Sequence, residues 1–517
     1  RGCFMKGFSR RRFLQASGAL VAIPAATSFL FSGCSLQSGT LKIAHDALLT
    51  SWDPTTGLSS LDATAQSLYK AVFDSLITQY PDLSLSPGIV TDWGWNNDGS
   101  KIHLSLREDA FWHDGTPVTP DDVVWSLERA GSLTSDNPMR FIWSKITNFS
   151  ISGNTVIANV KDYEPAIFKL MAYLTSYIMP KKAYTALGAE AWEKNPIGSG
   201  PYMLEKFEKN RFIRLKSFPQ YWGPKPDFET VEIKMLPDAM DRLAELDSGD
   251  CDLAVNVPYE AFNRLSSSSK WEGQAYPITD VGMIFITNKE AAMKDKNIRL
   301  AMHHAIDKQR LIDELLLGFG MPIDSMQVPG YDAYDPSIEI DFDLDRARSY
   351  LSKSGFSKTN PVKLTIQTTR GYRPKDYEMI EMIVDMWREI GVEANIEVYN
   401  RAEHLKLRGQ HKLAPAAFFN WSNSIGDPFL SAGMAMLSTS PDSTFKSLEL
   451  DRLIVPLLDE SDERKRILGY KEVDQYIADE CLVIPLVQYV QAVVHTKNIR
   501  FTPNNGGLIL PHLSQLI

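Results

Sequence analysis

The sequence predicts an α/β protein, and three observations lead there. From Leu41 onward strand-like and helix-like segments alternate, without an internal repeat or a long low-complexity linker. Three stretches read as complete local units built on that alternation. The chain has 517 residues, 44% of them hydrophobic, enough to bury cores for two or three domains.

In the first unit residues 230–235 alternate as a strand, and Asp238 caps a helix that carries Leu243 and Leu246. Gly249 ends that helix, residues 252–255 form the next strand, and Asn256-Val257-Pro258 turns after it. In the second, Val362–Thr368 is a strand, and Met379, Ile380, Ile383, Met386, Trp387 and Ile390 mark one face of a helix stopped by Gly391, before Val392–Val398 alternates again. In the third, a short apolar strand over 416–419 runs into Asn420-Trp421-Ser422-Asn423-Ser424-Ile425-Gly426-Asp427-Pro428. Open α/β sheets bind ligands beyond the carboxyl ends of their strands. That rule selects Asn256, Arg370 and the Trp421 to Asp427 loop.

The start of the chain is of another kind. Arg10, Arg11 and Arg12 precede a run over 16–31 that is apolar but interrupted, too short and too polar for a stable span. Ser9-Arg10-Arg11-Arg12-Phe13-Leu14-Gln15 resembles a twin-arginine export signal, with Arg10 and Arg11 as its pair. Phe31-Ser32-Gly33-Cys34 resembles a lipobox, which implies lipidation of Cys34. Residues 1–33 then form the signal and 34–40 a polar tether, leaving the protein lipid-anchored in the periplasm or on the outer face of the cytoplasmic membrane. Removing 1–33, with five basic residues and no acid, takes the formal charge from −10 to about −15. Such an acidic body argues against nucleic acid as a partner. Of four cysteines, Cys251 and Cys481 remain in the body, and two lone buried thiols are favoured over a disulfide.

Leu106-Arg-Glu-Asp-Ala-Phe-Trp-His-Asp-Gly-Thr-Pro-Val-Thr-Pro-Asp-Asp-Val-Val-Trp-Ser-Leu-Glu-Arg129 closely resembles the family 5 extracellular solute-binding proteins, the dipeptide-, oligopeptide- and nickel-binding proteins of ABC importers. Further matches follow in family order at Ile197-Gly-Ser-Gly-Pro-Tyr202, Tyr221-Trp-Gly223, residues 246–253, residues 298–307 and residues 477–485. The resemblance implies a type II periplasmic-binding-protein fold of two lobes with an enlarged first lobe. It places 41–283 plus 491–517 in lobe I and 284–490 in lobe II, with crossings near 280–285 and 488–494. It also implies a monomer that captures a peptide or peptide-like, anionic solute and delivers it to an ABC permease and ATPase. A non-peptide solute such as an opine, a sugar-phosphate conjugate or a metal chelate fits the same reading, as does a sensory receptor.

Most of the conspicuous motifs serve the fold. Asp114-Gly115 is a turn signal, and Asp121 stands where a helix begins. Ile298, Met302, Ala305 and Ile306 form a helical stripe, so His303 and His304 flank a core face rather than bind metal. Asp341, Asp343 and Asp345 imitate a calcium loop, but Arg346 occupies the required glycine position, and helix capping accounts for them better. Ser267-Ser-Ser-Lys270 and Ser135-Asp136-Asn137 fit two elements of penicillin-binding enzymes in reversed order, and no Lys-Thr-Gly follows. No P-loop, dinucleotide fingerprint or His-Glu-x-x-His occurs, so we expect neither an enzyme nor a metal or cofactor.

The resemblance also assigns the site. In peptide-binding relatives a carboxylate in the loop after Trp421 grips the α-amine, and alignment puts Ser424 at that place. A neutral hydroxyl recovers little of a charge-assisted hydrogen bond. Amine-blocked acids are therefore expected to bind about as well as free ones, unless Asp427 or another acid supplies the anchor. Arg370-Gly-Tyr-Arg-Pro374 aligns with the carboxylate-binding segment, with Arg370 the first candidate and Arg373 the second. The candidate ligand contacts are thus Asn256, Arg370, Trp421, Asn423, Ser424 and Asp427.

Overall fold

Two long antiparallel strands, Trp271–Ile286 and Val483–Thr496, pair along their lengths and form the spine of an eleven-stranded sheet. The computed structural model describes residues 39–49, 51–55, 63–132, 143, 145–172 and 176–517. Arg10, Arg11, Cys34 and the Ser135-Asp136-Asn137 stretch lie outside the described residues. On one side of the spine come Leu253–Ala254, Gly39–His45, Phe228–Met235, Phe212–Ser217 and Tyr202–Glu208. On the other come Ala416–Ser422, Val362–Thr368 and Val392–Val398, and the short strand Gly320–Pro322, off this order, pairs with Val483–Thr496.

These two flanks attach at opposite ends of the spine. Leu253 and Ala254 pair with His495 and Val494, whereas Ala416–Ser422 pairs with residues 280–286, which face 483–488. Between the two ends the ladder shifts register from Pro277 to Val281 and again between Gly282 and Met283. An irregular ladder bends and twists more than a regular one, so each flank folds into its own lobe. A four-stranded sheet, Val90–Trp95, Lys101–Leu106, Thr155–Val160 and Ile146–Ser152, with the helix Pro120–Gly131 against it, has its own core and enlarges the first lobe.

The local units form for the reasons their sequences suggest. Asp238 accepts from Met240 N at 2.7 Å to open the helix Ala239–Ser248, and Gly249 closes it at φ 78°. The helix Asp376–Arg388 buries Met379, Ile380, Ile383, Met386 and Trp387. A Cβ on Gly391, at φ 103°, would lie 2.4 Å from the Ser357 carbonyl carbon, so only glycine fits there. Thr119 and Asp122 form a capping box on Pro120–Gly131, and Asp343 caps Leu344–Lys353. His303 and His304 are buried, and Cys251 and Cys481 are free buried thiols, each pushed up to about 12 by burial. Among the described residues no helix is long and apolar enough to cross a membrane, and no cluster of three or more His, Cys, Asp or Glu could hold a metal.

Candidate binding cleft

Between the lobes lies a cleft of about 1030 Å³. Its floor is the irregular part of the spine, and the loops at the strand ends of both lobes form its walls.

From the first lobe comes Asn256, just after Leu253–Ala254. It adopts φ 48°, a conformation that asparagine tolerates better than most residues. Buried Arg242 holds that turn in place. Its guanidinium donates to the carbonyls of Val255 at 2.7 Å, Asn256 at 2.9 Å and Leu236 at 2.7 Å. The Asn256 amide in turn donates to Asp46 Oδ2 at 2.6 Å.

From the second lobe comes the loop after Val362–Thr368. Buried Asp376 organises it, accepting from the Thr369 hydroxyl at 2.7 Å and from the backbone N–H groups of Gly371 at 2.7 Å and Tyr372 at 3.0 Å. The loop presents Arg370 and Arg373 to the cleft on one short turn. Arg370 is exposed, with its guanidinium carbon 3.5 Å from the centre of the Tyr377 ring. Arg373 is half-buried, is ion-paired with Asp280, and lies 4.8 Å from the Tyr372 ring centre. Arg401 meets the same ring at 4.3 Å. Among the described residues neither Arg370 nor Arg401 has a carboxylate partner.

The third contribution is the stretch from Trp421 to Pro428. Trp421 lines the cleft, oriented by an indole N–H bond to the Leu430 carbonyl at 2.7 Å. Asn423 and Ser424 also line it and are buried, and Asn423 Oδ1 and Ser424 Oγ have no hydrogen-bond partner. Asp427 is placed otherwise. It is 1% exposed, away from the cleft lining, in a bidentate pair with Arg466 at 2.7 and 2.8 Å, and it caps the turn Pro428–Leu430. With both oxygens so engaged, its carboxylate is not a ligand contact, and the candidate set loses it.

Sequence reasoning passed over several cleft residues. Asp280 lies on the floor, 4% exposed, accepting from the Asn420 amide at 2.9 Å and pairing with Arg373. Burial is the largest single effect on Arg373 and lowers its pKa, but Asp280 together with Tyr372, Tyr489 and Asp46 outweighs it, so the pKa stands above its ordinary value. His404 is buried against Phe419, ring centres 3.9 Å apart, and both ring nitrogens lack a partner. Burial, then the nearby Arg408 charge, push its pKa down to about 4, so it is neutral near pH 7. One available signal was Asp280 itself, an acid directly before the apolar run Val281-Gly-Met-Ile-Phe-Ile286. A carboxylate in such a strand needs a cationic partner.

Among the described residues, Ser267 and Lys270 form no catalytic grouping. Ser267 Oγ donates to the Asn263 carbonyl at 2.8 Å, and Lys270 Nζ sits 4.4 Å from the Trp271 ring centre. Cys481 and His303 approach to 3.7 Å, but both are sealed in the core, far from the thiolate-favouring exposure that reactivity needs.

Known proteins match this architecture over most of its length. Residues 84–443 match the model of "Bacterial extracellular solute-binding proteins, family 5 Middle". The dipeptide-binding protein of Escherichia coli K12 is 24% identical over 86% of this chain and 88% of its own. A glutathione-binding protein of another Escherichia coli strain is 24% identical over 94% of this chain and 96% of its own. Among solved structures, the dipeptide-binding protein of a Pseudoalteromonas species, in complex with Met-Leu, superposes with a TM-score of 0.77 at 20% identity, covering 93% of this chain and 100% of that one. The two-lobed fold is that of type II periplasmic binding proteins. With the family model spanning well over half of the sequence, the chain belongs to family 5 of the bacterial extracellular solute-binding proteins.

Proposed function

We propose that this protein captures a peptide or peptide-like acid between its lobes and delivers it to the permease of an ABC importer. It works from the outer side of the cytoplasmic membrane, exported through the Arg10–Arg11 signal and anchored as a lipoprotein through Cys34. The observation that carries the reading is the pair of cleft-facing guanidiniums, Arg370 and Arg401, without carboxylate partners. Planar donors of this kind suit a solute carboxylate. Trp421, Asn423 and Ser424 supply a flat surface and neutral hydrogen-bonding groups, as peptide bonds require. The peptide names of two family relatives and the Met-Leu complex of a third point the same way.

Calorimetric titration of the purified mature chain with Met-Leu and with glutathione tests the reading. A saturable complex with at least one of them is expected, with the ligand recovered unchanged. Arg370→Ala should weaken it by about 1 kcal/mol, since an exposed, ring-stacked guanidinium forms only a screened ion pair. Absence of binding by both probes would sink the peptide reading.

A further inference from the structure

At the inner end of the cleft, on the irregular part of the spine, buried Asp280 and half-buried Arg373 form an ion pair among hydrogen-bonding groups that have nothing to bond. Asp280 is held on one oxygen by the Asn420 amide and on the other by one end of the Arg373 guanidinium. Arg373 Nε is buried without a partner, and so are Thr279 Oγ1, Asn423 Oδ1, Ser424 Oγ and Tyr489 OH, all of residues that line the cleft. They are close neighbours: Thr279 adjoins Asp280, and the Thr279 carbonyl accepts from Asn423 N at 3.2 Å. Buried polar atoms are nearly always paired, so a concentration of unpaired ones in a cleft marks where a ligand completes them.

Their chemistry specifies the ligand group. An ammonium has three N–H donors and no acceptor, and here a carboxylate stands beside a hydroxyl, an amide oxygen and a second hydroxyl that can accept. The other acids of the cleft are engaged or outside it. Asp46 gives Oδ2 to the Asn256 amide and keeps Oδ1 at 3.1 Å from His45 Nδ1, Asp238 caps a helix, Asp376 is filled by its own loop, and Asp442 pairs with Arg408. Glu260 and Glu378 are exposed, where an ion pair contributes little.

We propose that Asp280 takes the solute's ammonium group, and that the end of the Arg373 guanidinium it now holds turns to the solute's adjacent carbonyl or carboxylate oxygen. The inference rests on the peptide reading above and deepens it. The acid missing at Ser424 is supplied from the next strand, where Asp280 pairs in register with Ser422. The exchange leaves the site's net charge unchanged before the solute enters and lets each buried charge keep a partner throughout. Free amines are therefore read, contrary to what the altered loop alone leads one to expect.

Calorimetry with Met-Leu, glutathione and the N-acetyl form of each decides it. Wild type should prefer the free amine by about tenfold or more, the worth of one charge-assisted hydrogen bond. Asp280→Asn should reduce that preference to about twofold or less, a change that the bulk of the acetyl group does not produce. Arg373→Gln, which leaves Asp280 to the ammonium alone, should weaken both forms yet keep or widen the preference, and it serves if Asp280→Asn does not fold. A wild-type preference below that range, one that survives in Asp280→Asn, or one that collapses in Arg373→Gln overturns the assignment. If no probe binds in either form, the peptide reading itself fails and this inference falls with it.

Discussion

Asp427 illustrates what a single residue's surroundings decide. Its sequence context suits both a turn and a ligand contact, and the structure commits it to Arg466, with side chains 1% and 6% exposed. Removing one partner of such a pair leaves the other charged, buried and unmatched. Asp427→Ala should cost on the order of 3–5 kcal/mol in chemical denaturation, far more than an exposed pair would. Asp474 is a different kind of buried acid. Burial raises its pKa, bonds from the Ser325 hydroxyl and the Met326 N–H oppose the rise, and it stands at about 6 against an ordinary 3.8. A raised folded-state pKa contributes stability in full below pH 4 and loses it as pH climbs through 6. Asp474→Asn should therefore flatten stability between pH 4 and 7 and gain up to about 3 kcal/mol on wild type at pH 8. Denaturation midpoints across that pH range measure it, and an unchanged profile would refute it.

The loop from Trp421 to Pro428 shows an element reaching beyond its own lobe. Ile425, 1% exposed, joins the core of the four-stranded sheet in the first lobe, although the strand it follows belongs to the second. Gly426 passes Tyr331 so closely that a Cβ would stand 3.3 Å from the ring, and its φ of 68° suits glycine. Ile425→Ala should forfeit about 2–4 kcal/mol of packing. Because that packing joins the lobes, much of the loss should appear as weaker solute binding with a smaller change in unfolding midpoint. Titration and denaturation of the same variant distinguish this from a purely internal contact, which would lower the midpoint alone.

At the scale of the molecule, the lobes share the two spine strands and meet on either side of the cleft through Lys169–Asp332 at 3.2 Å and Lys375–Glu260 at 3.4 Å. Both pairs are solvent-accessible, hence weak and easily broken. The register shifts near 277–283 place a hinge on the spine itself, where the two shared strands can bend. The radius of gyration should fall when saturating Met-Leu or glutathione binds. Superimposable scattering curves with and without a bound probe would argue for a rigid cleft.

Local order is legible along the linear chain. Caps, stops and periodicity at Asp238, Gly249, Val362–Thr368, Asp376–Arg388 and Gly391 were all legible, because each depends on neighbours a few residues away. The family blocks, likewise linear, carried the two-lobed fold and brought Asn256, Arg370, Trp421, Asn423 and Ser424 into view as cleft residues. Which charges meet follows from the three-dimensional packing alone. Asp280 reaches Arg373, and Asp427 reaches Arg466, through strand register and lobe packing between segments far apart in the chain. A carboxylate's role depends on the partner that burial forces on it, and no local pattern encodes that partner.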